Sequence, residues 1–219
     1  QRAAGEWRGL LDVGCGDGSF LEALGARPAL GLDWSAEAVR AVAARGYPAL
    51  RGQLLSAPLA EGRLSVVTMF HYLEHVTPAG EHLAAARRLL GPGGRLVVQV
   101  PNAAAWQAGL LRGRWGGYDA PRHLVDYDTR TLRRTLERHG FRVRRTSHRS
   151  LRDNPTTLAN SLAPGLYPPA RLGRPDRRAS LDGPASLAYL GLVLAAVPFT
   201  SLEAALGRGA AVTMEAEPA

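Results

Sequence analysis

Short apolar runs bounded by glycine and proline alternate with segments whose apolar residues recur at helical spacing, the pattern of repeated strand–helix units around a parallel sheet. Leu10 to Val13 reads as a first strand, closed by a glycine-rich turn, and Ser19 to Leu24 opens a helix. Ala29 to Asp33 is a second strand. Ser35 can then accept a bond from a free helix-start amide, Val39 and Val42 give that helix its buried stripe, and Gly46 ends it. Tyr47 to Leu50 is a short third strand, and Leu64 to Phe70, rich in β-branched residues, a buried fourth. Leu83, Ala86 and Leu90 share one helical face ahead of the turn Gly91-Pro92-Gly93-Gly94, and Leu96 to Val100 is a fifth strand stopped by Pro101. Asp128 or Thr129 caps a helix carrying Leu132 and Leu136, Gly140 ends it, and Phe141 to Thr146 is a sixth strand.

From Asp153 to about Pro184 the pattern dissolves into proline, arginine and glycine. An apolar stretch follows, Leu187 to Phe199, and Ala210 to Glu215 completes a set of seven strands. The pattern predicts an α/β chain divided into a core (1–152), an insertion or lid with an apolar helix (153–207), and a last core strand (208–219). The apolar stretch contains Pro198 and falls short of the ~20 residues a membrane span needs. A core or lid helix is the expected reading, with peripheral membrane contact as the alternative.

A chain of 219 residues is long enough for one such domain and its own core. The formal net charge is +8, and every fixed basic side chain is arginine, since no lysine occurs. Basic proteins can attract nucleic acid or anionic membranes, but these arginines are scattered rather than run together. The densest group is Arg142, Arg144, Arg145, Arg149 and Arg152. The single cysteine, Cys15, excludes an intrachain disulfide, and together with the lack of a signal-peptide pattern it suggests a cytoplasmic setting.

The most informative segment is Leu11-Asp12-Val13-Gly14-Cys15-Gly16-Asp17-Gly18-Ser19: a strand holding an acid near its end, Gly-x-Gly-x-Gly, then a helix. Dinucleotide sites use Gly-x-Gly-x-x-Gly and set a pyrophosphate on the helix start. Here the third glycine comes one position early and an anion stands beside the loop. Such a charge opposes a pyrophosphate and suits a ligand with an amino group and a sulfonium, which favours S-adenosylmethionine over a nicotinamide dinucleotide. Asp33, twenty-one residues after Asp12, ends the second strand, where a carboxylate can accept from both ribose hydroxyls.

With these motifs the chain resembles the class I methyltransferases of the ubiquinone and menaquinone biosynthesis type. The resemblance rests on LLDVGCGDGSFLEAL, LGLDWSAEAV, HYLEHV, LLGPGGRLVVQVPN and WGGYDAPRHLVDYDTRTLRRTLERHGF, and covers about residues 8 to 146. It implies a Rossmann-like sandwich: a seven-stranded, mostly parallel sheet with helices on both faces and a C-terminal insertion before the last strand. It implies S-adenosyl-L-methionine as cofactor and S-adenosyl-L-homocysteine as product. Asp12, Gly14, Cys15, Gly16 and Gly18 would cradle the methionine portion, Asp33 would hold the ribose, and Trp34 would lie near the adenine. His71, Tyr72 and Glu74 would line the junction of cofactor and acceptor. Two departures stand out: Gln53 replaces the family's acid near the third strand, and Leu64-Ser65 replaces Phe-Asp at the fourth.

If the acceptor is a hydroxyl, a base must take its proton, and histidine suits neutral pH. The candidates are His123 first and His71 second, with Glu74 beside them; His75 is read as a loop anchor. Glu74 and these histidines have no diagnostic metal spacing, and no metal is expected. The expected activity is O-methylation of a small-molecule or lipid-like acceptor. Nucleic-acid base methylation is disfavoured, because His71-Tyr72-Leu73-Glu74 stands where an Asn/Asp-Pro-Pro-aromatic motif would be needed. Methylation of RNA or protein, and a non-catalytic S-adenosylmethionine-binding role, are the alternatives.

Overall fold

The computed structural model describes residues 9–25, 28–166 and 184–219. Its strands are β1 (Gly9–Val13), β2 (Ala29–Asp33), β3 (Ala49–Arg51), β4 (Leu64–Phe70), β5 (Leu90–Pro101), β6 (Phe141–Ser147) and β7 (Ala211–Pro218). The α-helices are α1 (Ser19–Leu24), α2 (Ala36–Ala44), α3 (Ala79–Leu89), α4 (Trp106–Leu111), α5 (Thr129–Arg138), α6 (Asp153–Leu162) and α7 (Pro184–Ala205). The strands form one seven-stranded sheet in the order β3-β2-β1-β4-β5-β7-β6, mostly parallel, with β7 antiparallel. β1, buried at all five positions, is an interior strand, and pairs in parallel with β2 on one side and β4 on the other. The chain therefore reverses its direction of travel across the sheet between β1 and β4. In open α/β sheets that reversal opens a crevice at the strands' carboxyl ends, where ligands bind.

The chain packs as two units, residues 1–100, 129–146 and 213–219 forming one, and 101–128 with 147–212 the other. This division differs from the expected breaks at 152 and 207, because residues 101–128 group with the insertion. In the first unit, Leu10, Leu21, Ala29, Val42 and Tyr47 cluster around Cys15. Leu21 and Val42 have no exposed surface, and burying each is worth roughly 1.5–3 kcal/mol, which pins α1 and α2 to the sheet. At the sheet's rim, Arg142, Arg144 and Arg145 of β6 are exposed, and Arg144 and Arg145 pair with Glu217 and Glu215 of β7. Charged side chains on an edge strand discourage further strand addition.

In the second unit, buried Trp115 packs with Ala105, Ala108 and Ala210. Its indole N–H donates to Gln107 Oε1 (3.1 Å), and Gln107 donates through Nε2 and its backbone N–H to the two carboxylate oxygens of Glu203 (2.8 and 2.9 Å). α6 and α7 pack together, with Tyr189 Oη donating to Asn160 Oδ1 at 2.8 Å.

Three elements differ from the sequence reading. Residues 153–162, read as irregular, are helical: Ser150 Oγ accepts from the Asp153 backbone N–H and donates to the Asp153 carboxylate. Pro155 sits in the first turn, where no amide donor is needed. Leu90, read as helical, opens β5, and the ladder pairs Leu64 with Leu90 and then Val66 with Arg95, so the glycine turn is a bulge inside the strand. The apolar stretch is a helix of 22 residues rather than thirteen, continuing through Pro198. Its leucines 187, 190, 194 and 202 are exposed, against the core-helix expectation.

Candidate cofactor site

The glycine loop leaves β1 at the crevice. Gly14 and Cys15 donate backbone N–H bonds to Leu32 O of β2 (2.8 and 3.2 Å), and Gly18 donates to Cys15 O (3.0 Å), closing the turn into α1. Gly16 has φ +52°, a conformation L side chains rarely adopt, and a Cβ built there would meet nothing within 4 Å. Its outer side is open to a ligand, while its N–H is held by Asp33 Oδ2 at 3.1 Å. At Gly18 (φ +78°) the constraint is packing, since a Cβ would come within 2.9 Å of Val42 Cγ2. Arg45 braces the loop from outside, donating to Asp17 O at 2.7 Å and pairing with the Asp17 and Glu22 carboxylates.

Two carboxylates face this loop with different surroundings. Asp12 is buried and accepts from Thr68 Oγ1 of β4 at 2.6 Å. Burial pushes its carboxyl up to about 6; the Thr68 bond opposes the shift and the nearby Asp33 adds to it. Among the described residues no cation is paired with it, so a buried acid here lacks its natural partner. Asp33 closes β2 with Oδ1 accepting from Ser35 N–H (2.8 Å) and Oδ2 from Gly16 N–H. Each oxygen keeps a second lone pair for an added donor. Ser35 caps α2 as expected, its hydroxyl accepting from Glu37 and Ala38 N–H. An open glycine backbone, an uncompensated buried acid and a second acid at the next strand end fit a ligand carrying positive charge and vicinal hydroxyls.

At the end of β4, His71 has φ +51°, the left-handed region that a non-glycine residue enters at a cost of roughly 1–2 kcal/mol. Its N–H donates to Gln99 O of β5 (2.9 Å). Its ring is held at both nitrogens, Nδ1 against Glu74 Oε1 (3.2 Å) and Nε2 against Gln99 Nε2 (3.1 Å). Thr213 Oγ1 donates to Gln99 Oε1 (2.9 Å), which fixes the Gln99 amide with its NH2 toward the imidazole. That chain matches a neutral His71 with its proton on Nδ1. Glu74 is buried, and its Oε2 has no hydrogen-bond partner among the described residues. Tyr72 turns inward: its hydroxyl is hydrogen-bonded to His82 Nδ1 (2.9 Å), its ring stands 3.0 Å from where a Gly14 Cβ would lie, and burial pushes its pKa up to about 12.

The structure thus brings Asp12, Gly14, Gly16, Gly18, Asp33, His71 and Glu74 to the carboxyl-end crevice of the first unit. Trp34, 78% exposed, follows Asp33 with its indole uncovered. Gln53 is exposed just after β3, ahead of a 3-10 turn at Leu54–Ser56. Cys15 contributes backbone only: its thiol is buried in the core beside Gly31, and burial pushes it up to about 12. His75 is exposed. His123 lies in the second unit, its backbone N–H bonded to Asp119 O at 2.9 Å. Sequence reasoning missed Thr68, Arg45, Gln99 and Thr213, all distant in the chain from the partners they hold. Only the polar character of Thr68 and Gln99 within otherwise apolar strands signalled them.

A methyltransferase-domain family model matches residues 5–146. A probable S-adenosylmethionine-dependent methyltransferase of Mycolicibacterium smegmatis is 31% identical over 153 residues, 66% of this chain and 55% of that protein. A ubiquinone biosynthesis O-methyltransferase of Pseudomonas paraeruginosa is 35% identical over 112 residues, 47% of this chain and 48% of its own. Among solved structures, geranyl diphosphate C-methyltransferase from Streptomyces coelicolor A3(2) has a TM-score of 0.57 at 16% identity, covering 99% of this chain and 72% of its own. The chain spans about half the length of these two curated relatives. Glycine loop, paired acids, sheet order and family match agree: the chain belongs to the S-adenosylmethionine-dependent methyltransferase-domain family.

Proposed function

We propose that this domain moves a methyl group from S-adenosyl-L-methionine to a hydroxyl oxygen of a small or lipid-like acceptor. When bound, the cofactor supplies a methyl on a positively charged sulfur, an electrophile that needs no further activation. The chain's own residues position, neutralise and accept a proton. The backbone of Gly14 to Gly18 lets the methionine portion lie against the loop, Asp12 offers the countercharge, and Asp33 receives the ribose hydroxyls. Trp34 presents an aromatic face for the adenine, and Gln53 a side-chain amide near it. Positioning of this kind supplies much of the rate in a transfer between two bound molecules.

The observation that carries the oxygen-acceptor reading is the His71–Glu74 pair at the mouth of β4. With its proton on Nδ1 and held by Glu74, His71 has a lone pair on Nε2 that Gln99 occupies in the resting state. An acceptor hydroxyl replacing Gln99 there would pass its proton to Nε2 as its oxygen bonds the methyl, while the carbon–sulfur bond breaks and its electrons stay on sulfur. Glu74 then faces the imidazolium. His123, on the second unit, is the other proposed base. The name of the ubiquinone biosynthesis O-methyltransferase relative supports a small-molecule acceptor methylated on oxygen.

The test is transfer of radiolabelled methyl from S-adenosyl-L-methionine into a fractionated cell extract, with His71→Ala and His123→Ala run beside wild type. Label in an organic-soluble product, released as an O-methyl compound and reduced about 100-fold or more by one substitution, is expected. Label confined to protein or nucleic acid, or only to nitrogen or carbon, would refute the acceptor assignment.

A further inference from the structure

The 22-residue helix α7 turns two unlike faces outward and inward. Tyr189, Ala196, Thr200 and Glu203 are its buried residues. At 3.6 residues per turn they fall within an arc of about 60°. Leu187, Leu190, Leu194 and Leu202 are 63%, 46%, 62% and 55% exposed and fall on the opposite side, within about 120°. Glu203 is the helix's one charged residue, and it is buried against Gln107. The exposed face therefore has no charge along about 33 Å. The patch extends onto α4 of the same unit, where Leu110 is 72% exposed and the half-exposed Trp106 ring meets Phe199 at 6.5 Å. Soluble surfaces scatter such residues singly, and a contiguous uncharged stripe marks a docking surface.

Charge at the C-terminal end of the stripe selects the occupant. At the C-terminal end of α7, Leu206 is exposed and Arg208 follows. The 148–154 segment packs there, with His148 against Gly207 and Gly209. That segment carries exposed Leu151 between exposed Arg149 and Arg152. An apolar stripe with arginines beyond its C-terminal end suits an anionic bilayer, into which leucines sink while guanidinium groups reach phosphates.

The geometry points to α7 as an in-plane anchor: we propose that its leucine face docks on the surface of an anionic phospholipid bilayer. The helix does not span it, because its inner face is bonded to α6 through Tyr189–Asn160 and to α4 through Glu203–Gln107. The anchor needs neither cofactor nor acceptor, so it stands apart from the proposed chemistry.

The experiment is vesicle flotation of the whole chain with phosphatidylglycerol–phosphatidylcholine (3:7) and with phosphatidylcholine alone, comparing wild type with Leu190→Glu/Leu194→Glu. Both positions are solvent-facing, and circular dichroism checks that the variant folds. Wild type is expected to float with the anionic vesicles, less so in 0.5 M salt, and the variant to bind at least about tenfold more weakly. Wild type left in solution with both vesicle types would overturn the proposal. So would a variant that binds as well as wild type, which would assign attachment to arginines alone, and so would a dimer in light scattering that the substitutions dissociate while vesicles are ignored.

Discussion

Thr68 of β4 donates its hydroxyl to the Asp12 carboxylate of β1 at 2.6 Å, joining the two strands between which the sheet reverses direction. Both groups are buried, and this bond is what the protein itself offers a carboxylate that burial holds at about 6.

Cofactor affinity should therefore depend on pH. A cationic ligand needs Asp12 ionised, so binding should weaken as pH falls through about 6, by up to tenfold per unit below it. Isothermal titration with S-adenosyl-L-methionine between pH 5 and 8 checks this. Asp12→Asn should bind more weakly at pH 8 and lose most of the pH dependence.

The same shift has an opposite sign for the free protein. A carboxyl raised on folding favours the folded state below its ordinary value near 4, and that contribution is lost as pH rises through about 6. Ligand-free Asp12→Asn should accordingly be more stable than wild type at pH 8, by about 1–3 kcal/mol, with little gain at pH 4. Thermal melts at the two pH values decide it.

The two glycines of the loop should fail differently. Gly16→Ala places its methyl in open space, so it should cost about 1 kcal/mol of stability, from backbone strain, yet lower cofactor affinity strongly. Gly18→Val meets Val42 at the α1–α2 contact and should destabilise the fold by more, about 2–4 kcal/mol. Denaturant titrations beside binding curves separate the effects.

His71 pairs backbone strain with a held ring. His71→Gly relieves the left-handed backbone but strips buried Glu74 of its ring partner, two effects of about 1–3 kcal/mol that oppose, so stability should change little while methyl transfer falls about 100-fold or more. Gln99→Leu, which removes the Nε2 contact, should change kcat and its pH profile with little effect on cofactor affinity. Unchanged kinetics in both variants would remove His71 from the chemistry.

In the second unit, hydrogen-bond polarity runs Trp115 to Gln107 to Glu203. Glu203→Gln sets an NH2 against a donor of Gln107, and relieving that by flipping Gln107 would break the Trp115 bond. A loss of about 1–3 kcal/mol is expected in thermal unfolding, although burial already pushes the Glu203 carboxyl up.

The strands were legible because their apolar runs are short and bounded by glycine or proline: β2 and β4 match their predicted bounds. The loop acids were legible too, since Asp12, the three glycines and Asp33 sit at strand ends where backbone and charge restrict the choice. Helix α6 was hidden by a proline that its first turn tolerates, and by a Ser150–Asp153 bond that reads as loop composition. The Thr213–Gln99–His71 chain joins residues up to 142 apart in number, a relation no local pattern carries. Exposure of α7 was likewise illegible, because a leucine-rich helix looks the same whether core or another surface is to cover it.

The most direct measurement is the affinity of S-adenosyl-L-homocysteine for wild type, Asp33→Ala and Asp33→Asn by isothermal titration at pH 7.5, with NAD as a control. Micromolar binding to wild type, weakened about 30-fold or more in both variants and absent for NAD, is the predicted result. Equal affinity in all three proteins, or binding of NAD in preference, would contradict the assignment of this crevice.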